Sequence, residues 1–423
     1  MKLRTLIGAG IGLAAAVGLL FVFSQFWTSR LLERASEPAT TEGQKNVPEI
    51  LWLFEPPEHG AIVSSPALTG DRVYVGIIHD VGLTTYGAVY CLDRKTGKAI
   101  WKFDDDGKMQ HMFSSPCLAN GKVYIGDGMH ENFSCKLYCL DDQSGRKLWD
   151  FATAGHVESS PCVAEDSVFF GAGDDGVFCL NAETGKERWR FQAALHVDTS
   201  PLVVDGRLYA GAGGSRRFKA TEIFCLNGST GKVVWRVPTD LPVWGSPAYG
   251  NDAVLFGLGN GRLLDPPALP EKPAGALLCV DARTGKELWR WRNSDAVFCK
   301  PALDETHVYF GARDGNGYCL DRRNGELHWQ FAMHSPIVAR PALVDNLVYM
   351  AASGGEVCCL RAHDGVAQWT FDVAAQAHMK TRNFSSPCVV REEAVDTRHH
   401  LLYLGTELIN PAGSTAVLYS LRD

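Results

Sequence analysis

Most of the chain alternates short apolar runs with short polar turns. Runs such as "RVYVGI" (72–77) and "VYCLD" (89–93) are separated by segments rich in glycine, aspartate and asparagine. Apolar runs of this length between turn residues are typical of β-strands joined by tight connections, and they are too short for most helices. The pattern therefore predicts an all-β fold from residue 49 to residue 423.

One phrase recurs along the chain: an apolar strand, a polar turn with glycine, and a second strand with tryptophan. Residues 89–103 read "VYCLDRKTGKAIWKF", and six further copies lie at 137–151, 177–191, 223–237, 277–291, 317–331 and 357–371. An eighth copy is split between "EILWLF" (49–54), which has the tryptophan, and "VLYSLRD" (417–423), which has the first half. A serine-rich segment ending in a marker proline precedes each copy, at Pro66, Pro116, Pro161, Pro201, Pro247, Pro301, Pro341 and Pro387.

The repeat has the size of one propeller blade. The repeated tryptophans are 40 to 54 residues apart, which leaves room for about four short strands per unit. Strand A is predicted to end at the marker proline, strands B and C to follow, and strand D to carry the tryptophan. We therefore predict an eight-bladed β-propeller of four-stranded antiparallel blades, in which residues 49–54 complete the last blade. This closure leaves no blade edge free to pair with another chain.

The repeated tryptophans are predicted to be structural. Tryptophan has the largest side chain available, and each is expected to fill the gap to the next blade, which stabilises the ring by roughly 2–3 kcal/mol per residue. The eight residues are Trp52, Trp101, Trp149, Trp189, Trp235, Trp289, Trp329 and Trp369.

The phrase Leu-Asp-x-x-Thr-Gly-Lys-x-x-Trp resembles the tryptophan-docking repeat of the pyrroloquinoline quinone (PQQ)-like propellers. That family includes the quinoprotein alcohol dehydrogenases and the BamB lipoprotein of outer-membrane assembly. The resemblance covers residues 49–423 and implies eight blades. Enzymes and scaffolds share the repeat, so it implies a fold without choosing a function.

The dehydrogenase resemblance implies a disulfide between adjacent cysteines over the cofactor, and a calcium site with a catalytic aspartate. The chain contains Cys358–Cys359, but Cys359 is the ordinary repeat cysteine of strand C, and no motif assigns the calcium site. We therefore predict a BamB-like interaction scaffold without a cofactor, which binds envelope proteins or peptides. The alternatives are an oxidoreductase that uses PQQ with calcium, and a sensor that binds a small ligand in the channel.

Composition excludes some classes of function and raises the question of disulfides. The formal net charge is −7 and no basic run occurs, so nucleic-acid binding is not predicted. Of 13 cysteines, seven occupy one position of strand C, where symmetry places one in each blade, too far apart to be bridged. We expect cysteine there to act as a small apolar side chain.

The N-terminus carries a different pattern. Residues 5–23, "TLIGAGIGLAAAVGLLFVF", lack charge, Lys2 and Arg4 precede them, and Phe26 and Trp27 follow. This pattern predicts an uncleaved signal anchor, with the protein single-pass in a bacterial inner membrane and the propeller in the periplasm. A cleaved signal peptide is the alternative. The predicted organisation is an anchor and its flank at 1–34, a flexible linker at 35–48 and the propeller at 49–423.

The strands that line the predicted channel supply candidate binding residues. The residue before the marker proline is serine in six units, and Lys300 and Arg340 in the other two. Two positions earlier lie Glu158, Asp198 and Trp244. If both positions face the channel, Lys300 and Arg340 can bind an anion, such as a quinone carboxylate or a partner's acidic side chain. The alternative is that the acidic and basic residues pair with each other across water.

Two further sets of residues belong to the face that carries the D–A and B–C linkers. Function is more often found on variable linkers than on uniform turns, so Arg216 and Arg217 of linker 212–222 are candidate contacts for a ligand or partner. His111, His156 and His196 lie five residues before their marker prolines and are candidate metal ligands. The alternative is that these histidines are copies from duplication that bond to loops. His130 is interpreted as an isolated loop histidine.

Overall fold

The computed structural model describes residues 47–81, 84–130, 132–260, 272–392, 399–411 and 413–423. These residues contain 34 strands and a short helix, α1 (Val373–Ala377). The strands form eight antiparallel sheets that follow one another along the chain as the blades of a propeller. The prediction of an eight-bladed, all-β propeller is therefore confirmed.

The first four blades are continuous in sequence. Blade 1 contains β2 (His59–Ala61), β3 (Ala67–Thr69), β4 (Arg72–Val81), β5 (Thr84–Asp93) and β6 (Ala99–Phe103). Blade 2 contains β7 (Cys117–Ala119), β8 (Lys122–Gly126), β9 (Cys135–Asp141) and β10 (Lys147–Thr153). Blade 3 contains β11 (Cys162–Ala164), β12 (Ser167–Gly171), β13 (Val177–Asn181) and β14 (Glu187–Phe191). Blade 4 contains β15 (Leu202–Val204), β16 (Arg207–Ala212), β17 (Glu222–Asn227) and β18 (Val233–Pro238).

The last four blades include the one that joins the two ends of the ring. Blade 5 contains β19 (Ala248–Gly250), β20 (Ala253–Gly259), β21 (Gly275–Asp281) and β22 (Glu287–Asn293). Blade 6 contains β23 (Ala302–Leu303), β24 (His307–Gly311), β25 (Asn316–Asp321) and β26 (Leu327–Ala332). Blade 7 contains β27 (Ala342–Val344), β28 (Leu347–Ala351), β29 (Glu356–Arg361) and β30 (Ala367–Asp372). Blade 8 contains β31 (Lys380–Arg382), β32 (Cys388–Arg391), β33 (His400–Asn410), β34 (Gly413–Arg422) and β1 (Glu49–Phe54).

The polar turn between strands C and D has the same construction in several blades. In blade 1, the Asp93 carboxylate accepts hydrogen bonds from the Thr96 amide at 2.8 Å and the Thr96 hydroxyl at 2.7 Å. Gly97 then takes a φ of +69°, which a residue with a side chain adopts only at a cost. The repeated Asp/Asn-x-x-Thr-Gly pattern is therefore a turn signal with a direct structural cause.

The tryptophan of one blade packs against the polar turn of the next blade. The Trp101 indole Nε1 donates to the Asp142 carbonyl oxygen at 3.1 Å, and a Cβ added to Gly145 would lie 2.6 Å from the indole ring. Only glycine leaves room for this close approach. The same donation to the next turn is made by Trp52, Trp149, Trp189, Trp235, Trp289 and Trp329.

The segment before the marker proline is organised by serine hydroxyls. The Ser64 hydroxyl donates to the Gly76 carbonyl at 2.9 Å and accepts from the Gly76 amide at 2.8 Å, so it joins the start of the inner strand to β4. The inner strands themselves begin after the proline, as β3 does after Pro66. The prediction that strand A ends at the proline is therefore wrong. Proline has no N–H for a ladder, and serine side chains replace the ladder bonds here.

The ring closes where the sequence predicted. Strand β1 pairs antiparallel with β34, with Glu49 opposite Arg422 and Trp52 opposite Ser420. Blade 8 lacks the polar turn that joins strands C and D elsewhere, because its strand D comes from the start of the propeller. The Asp423 carboxylate instead accepts a hydrogen bond from the Tyr349 hydroxyl of blade 7 at 2.5 Å. The buried Trp369 Nε1 has no hydrogen-bond partner among the described residues.

All 13 cysteines are free, as expected for side chains that serve as small apolar residues. Cys358 and Cys359 are neighbours in β29 but pack into different cores. Cys358 lies against blade 6, whereas Cys359 lies against blade 8, because successive side chains of a strand point to opposite faces. The adjacent pair therefore lies inside a blade instead of over the channel.

The prediction of a single-pass protein of the inner membrane is contradicted. Within the ranges that the structure describes, no helix has both the length and the apolar character needed to cross a bilayer. The predicted anchor at residues 5–23 and most of the predicted linker at 35–48 lie outside the described residues.

Candidate functional site

The channel wall is built by the segments that precede the marker prolines. Along each segment buried and half-buried residues alternate, so every second side chain faces the channel. The serine directly before the proline accepts a hydrogen bond from the backbone amide at the same position of the preceding blade, at 2.9 to 3.0 Å. These acceptors are Ser65, Ser115, Ser160, Ser200, Ser246 and Ser386. The serines form a hydroxyl ring that fastens blade to blade around the channel.

Lys300 and Arg340 interrupt this hydroxyl ring at neighbouring blades. Serines at these two positions would accept from the amides of Ser246 and Lys300, but lysine and arginine side chains carry no acceptor. Neither amide has another acceptor in the described part of the chain. The Lys300 and Arg340 side chains form no hydrogen bond or ion pair there either. Burial, followed by the neighbouring Arg340 charge, lowers the pKa of the Lys300 ammonium to about 8. The channel thus contains two adjacent cations that have no counter-ion among the described residues.

The acidic residues that face the channel, Glu158 and Asp198, are in contact with histidines. Three imidazole Nε2 atoms converge on the Asp198 carboxylate: His196 at 2.8 Å, His156 at 3.0 Å and His130 at 3.4 Å. His156 and His196 are buried on the D–A linkers that enter blades 3 and 4, and His130 lies on the B–C linker of blade 2. Three successive blades therefore contribute to one cluster.

Two further carboxylates contact the opposite ring nitrogen, Nδ1, of two of these histidines. The Nδ1 atom of His130 lies 2.6 Å from a Glu158 oxygen, and the Nδ1 atom of His196 lies 2.7 Å from an Asp174 oxygen. The Trp244 ring lies 6.3 Å from the His130 ring, between centroids. Its buried Nε1 has no hydrogen-bond partner in the described residues.

The histidines and carboxylates of the cluster stabilise each other's charged forms. The hydrogen bond to Glu158 raises the pKa of His130 to about 9. Burial lowers the pKa of His196, but the Asp198 charge and the bonds to Asp198 and Asp174 outweigh it, so the pKa is raised overall. Burial opposes ionisation of Asp198, yet the His196 and His156 contacts hold the pKa of its carboxyl well below the ordinary value. The Glu158 and Asp198 carboxylates are therefore both engaged by histidines.

The structure rearranges the predicted histidine set. His156 and His196 lie together, but His111 is absent from the cluster and its Nε2 bonds to the Thr85 hydroxyl instead. His130 takes the expected place of His111. His130 lies on a linker that is not part of the repeated pattern, so comparison of the repeats did not identify it as a site residue. The one available signal was the pair of channel-facing acids, which need cationic or N–H partners.

The two arginines of linker 212–222 remain candidates for contact with a partner. Both are exposed, and the Arg217 guanidinium stacks over the Phe218 ring at 4.9 Å from its centroid. The Ser215 hydroxyl accepts from the amides of Arg217 and Phe218, which orders this part of the linker. The arginine charges are therefore presented on an organised turn.

The sequence of this chain matches one protein family over most of its length. The family described as "Outer membrane protein assembly factor BamB" matches residues 24–131, 134–265 and 273–409. The chain belongs to this BamB family. The resemblance of its repeats to the PQQ-like propellers is thereby confirmed.

Solved structures show the same fold for both kinds of PQQ-like propeller. BamB from Moraxella catarrhalis is similar with a TM-score of 0.60 and 16% identity, over 88% of this chain and 98% of that chain. Quinohemoprotein alcohol dehydrogenase from Comamonas testosteroni is similar with a TM-score of 0.64 and 12% identity, over 88% and 76% of the two chains. At these identities the similarity shows the fold alone.

A local sequence match relates the chain to a quinoprotein enzyme. Quinohemoprotein alcohol dehydrogenase ADH IIB of Pseudomonas putida is 41% identical over 70 residues, which are 16% of this chain and 9% of that protein. The match covers only a small part of the enzyme's length. Likeness to both scaffold and dehydrogenase is present, so the expectation of no cofactor stays a prediction.

The described residues do not fit PQQ held in the way that the dehydrogenase resemblance implies. Cys358 and Cys359 are both free, and they point to opposite faces of β29, so no adjacent-cysteine disulfide covers the channel. The donors that converge in the channel are three imidazoles and one carboxylate. Calcium prefers ligands that are all oxygen, so this donor set does not suit it.

Proposed function

We propose that this BamB family member is an interaction scaffold that holds an acidic segment of a protein partner at its channel. The observation that carries the proposal is the pair of cations Lys300 and Arg340, at positions where the other six blades have serine. Neither has an ion-pair partner among the described residues. Envelope proteins or peptides are the proposed partners, as the family relationship suggests.

The two cations weaken the propeller in the absence of a ligand. Each replaces a hydroxyl that would accept an inter-blade hydrogen bond worth about 1 kcal/mol. The lowered pKa of Lys300 also reflects loss of water on burial and, after it, repulsion from Arg340. A bound carboxylate offsets both effects, since it pairs with the ammonium and can accept two parallel bonds from the guanidinium. The arrangement therefore favours an anionic partner group over a neutral one.

The alternative that acidic and basic sectors neutralise each other has less support. Asp198 already lies within 3.4 Å of three imidazole nitrogens, and Glu158 accepts from the His130 amide at 2.5 Å. These carboxylates are therefore already bonded to the histidines beside them. The anion for Lys300 and Arg340 is therefore proposed to come from outside the chain.

A small carboxylate ligand is the second candidate for the same two cations. The 70-residue match to a quinohemoprotein alcohol dehydrogenase favours a quinone carboxylate as one such ligand. A sensor for another small acid would use the same chemistry. Addition of PQQ with calcium, followed by assays of quinone absorbance and dye-linked alcohol oxidation, separates the enzyme from the scaffold. Turnover in that assay would contradict the scaffold proposal.

Replacing both cations with serine should weaken acidic-peptide binding without loss of stability. The variant Lys300→Ser with Arg340→Ser removes the two charges and restores the hydroxyl ring, which should stabilise the fold by about 1–2 kcal/mol. We expect binding of a fluorescent Glu/Asp-rich peptide, measured by anisotropy, to weaken by at least about tenfold. Thermal unfolding of the same samples should show an equal or higher midpoint.

The matched control removes the same charge from the opposite face. Lys186 and Lys232 are exposed in the C–D turns, so Lys186→Ser with Lys232→Ser changes the net charge equally but leaves the channel intact. Peptide binding should be retained in this control. Equal weakening in both double variants would show non-specific attraction and would contradict the channel site.

Anion binding should weaken as the pH rises through about 8. Lys300 has its pKa lowered to about 8, so its ammonium is present below this pH and is lost above it. We expect the peptide affinity to fall by about tenfold between pH 7 and pH 9, since a charge-assisted hydrogen bond is replaced by a neutral one. Isothermal titration across this range measures the effect.

The conservative variant Lys300→Arg separates this titration from a general effect of pH on the peptide. An arginine at this position keeps its charge over the whole range, so its binding curve should be flat. A wild-type affinity that is as flat as that of Lys300→Arg would disprove the role of the Lys300 ammonium.

A further inference from the structure

The histidine cluster of the channel has the shape of a metal site. One ligand atom from each of His130, His156, His196 and Asp198 lies within 4.8 Å of the other three. Ligand atoms around a tetrahedral zinc ion are about 3.3 Å apart, given bonds of about 2.0–2.1 Å. Small movements of side chains are therefore enough to bring all four atoms to binding distance.

The hydrogen-bond balance of the cluster favours a cation at its centre. His196 has a carboxylate at both ring nitrogens, Asp174 at Nδ1 and Asp198 at Nε2. A neutral imidazole has a single N–H and can donate to only one of them. The second nitrogen then presents a lone pair to a carboxylate oxygen at 2.8 Å, an arrangement that is repulsive unless a proton or a metal ion lies between them.

His130 repeats the same arrangement. Its Nδ1 atom lies 2.6 Å from Glu158 and its Nε2 atom 3.4 Å from Asp198. Each of these two imidazoles therefore needs either a proton or a metal ion between its Nε2 atom and the Asp198 carboxylate. One divalent ion supplies this charge for both rings at once.

The outer carboxylates have the role that such groups play around bound metals. Metal-binding histidines usually donate the N–H of the second nitrogen to a carboxylate, which fixes the ring orientation and raises the basicity of the ligand. Glu158 and Asp174 are placed to do this for His130 and His196, since both contact Nδ1 and leave Nε2 facing the cluster. These contacts exist in the protein alone, so the rings are already oriented.

The surrounding backbone leaves space for the rings. A Cβ added to Gly173 would lie 2.8 Å from the His156 ring, and this glycine has a φ of +53°. The His130 and His156 rings are stacked with centroids 4.8 Å apart. His130 is 48% exposed at its side chain whereas His156 and His196 are 8% and 3% exposed, so an ion can enter from the His130 side.

We propose that His130, His156, His196 and Asp198 bind one divalent transition-metal ion of the zinc class at the channel mouth. Three imidazoles and one carboxylate suit Zn²⁺, Co²⁺, Ni²⁺ or Cu²⁺, whereas Ca²⁺ and Mg²⁺ prefer sites made of oxygen. The ligands come from linkers of blades 2, 3 and 4, so the ion also joins three blades. This inference does not depend on the proposed scaffold function, because it uses none of the basic residues.

The proposal is tested on the full chain after removal of metal with a chelator. Titration with Co²⁺ should give one equivalent bound per chain, with the visible absorption of a tetrahedral cobalt site, and Zn²⁺ should displace it. Zn²⁺ should also raise the thermal unfolding midpoint of the protein, because an ion that binds only the folded state stabilises it. Absence of a stoichiometric cobalt spectrum would overturn the proposal.

The variant His130→Ala tests the ligand set with little risk to folding, because this ring is half exposed. We expect it to weaken Co²⁺ binding by at least about tenfold and to remove the tetrahedral spectrum, while Glu158→Gln should weaken binding by about tenfold or more. His111→Ala is the matched control, since His111 has the same repeat position as His156 but lies outside the cluster. Unchanged affinity in His130→Ala, or an equal loss in His111→Ala, would overturn the site.

The variant that removes Lys300 and Arg340 separates this proposal from the scaffold function. Because neither residue is a ligand, Co²⁺ affinity in that variant should equal that of the wild type. Loss of the cobalt spectrum in that variant would contradict the four-ligand site. Retention of the spectrum together with loss of peptide binding would support both proposals independently.

Discussion

Replacement of Glu49–Phe54 by a glycine–serine segment of the same length is expected to open the propeller. Strand β1 provides the outer strand of blade 8, with Trp52 only 6% exposed and Leu53 and Phe54 paired with Tyr419 and Leu418. Loss of a buried tryptophan costs about 3–5 kcal/mol, and each lost ladder bond about 1 kcal/mol. The sum is of the order of the whole stability of a folded domain, so a lowered melting midpoint and faster proteolysis should follow.

A rescue variant makes this prediction specific. Residues 49–54 can be appended after Asp423 through a Thr-Gly-Lys turn, while their original position keeps the glycine–serine segment. This arrangement restores strand D of blade 8 and supplies the turn that the buried Trp369 Nε1 lacks. Recovery of the melting midpoint is expected. A replaced chain that melts at the wild-type temperature would disprove closure by β1.

The substitution Gly145→Ala is expected to destabilise the protein by about 3 kcal/mol or more. Gly145 has a φ of +70°, which costs a residue with a Cβ about 1–2 kcal/mol. The new methyl group would lie 2.6 Å from the indole of Trp101 and would force it out of its site, with a further loss of packing. Urea unfolding followed by tryptophan fluorescence measures the change in midpoint.

Gly121 offers a control with the same backbone and free space. It lies in the β7–β8 turn of the same blade with a φ of +71°, and nothing lies within 4 Å of an added Cβ. Gly121→Ala should therefore cost only the backbone strain, about 1–2 kcal/mol. The excess cost of Gly145→Ala over this control measures tryptophan docking. Equal costs in the two variants would contradict a role for close approach of the indole.

The repeated phrase allowed most of the fold to be predicted. Turn residues such as Asp93 and Gly97 act locally, so their effect is visible in a short stretch of sequence. Blade closure was predictable because the two halves of the eighth copy lie at opposite ends of the repeat array. The start of strand A was not, since Ser64 replaces ladder bonds by a contact with Gly76, twelve residues away.

The site was only partly predictable. His156 and His196 share a repeat position, and symmetry brings them to the same level of the channel. His130 has no counterpart in the other blades, and its contact with Asp198 spans three blades. Such contacts depend on the course of a linker, which no period in the sequence encodes. The sequence shows that serine recurs before the marker proline. It does not show that these serines link the blades, because the donors of those hydrogen bonds are backbone amides.

The split blade also has a consequence for biosynthesis. Glu49 and Arg422 are 373 residues apart, yet they belong to neighbouring strands. At ribosomal speeds of about 5–20 residues per second, β1 waits roughly 20–75 seconds before its partner has been made. During this interval its apolar residues, including Trp52, are available to other strands and to chaperones. Closure of the ring therefore has to wait until β34 has left the ribosome.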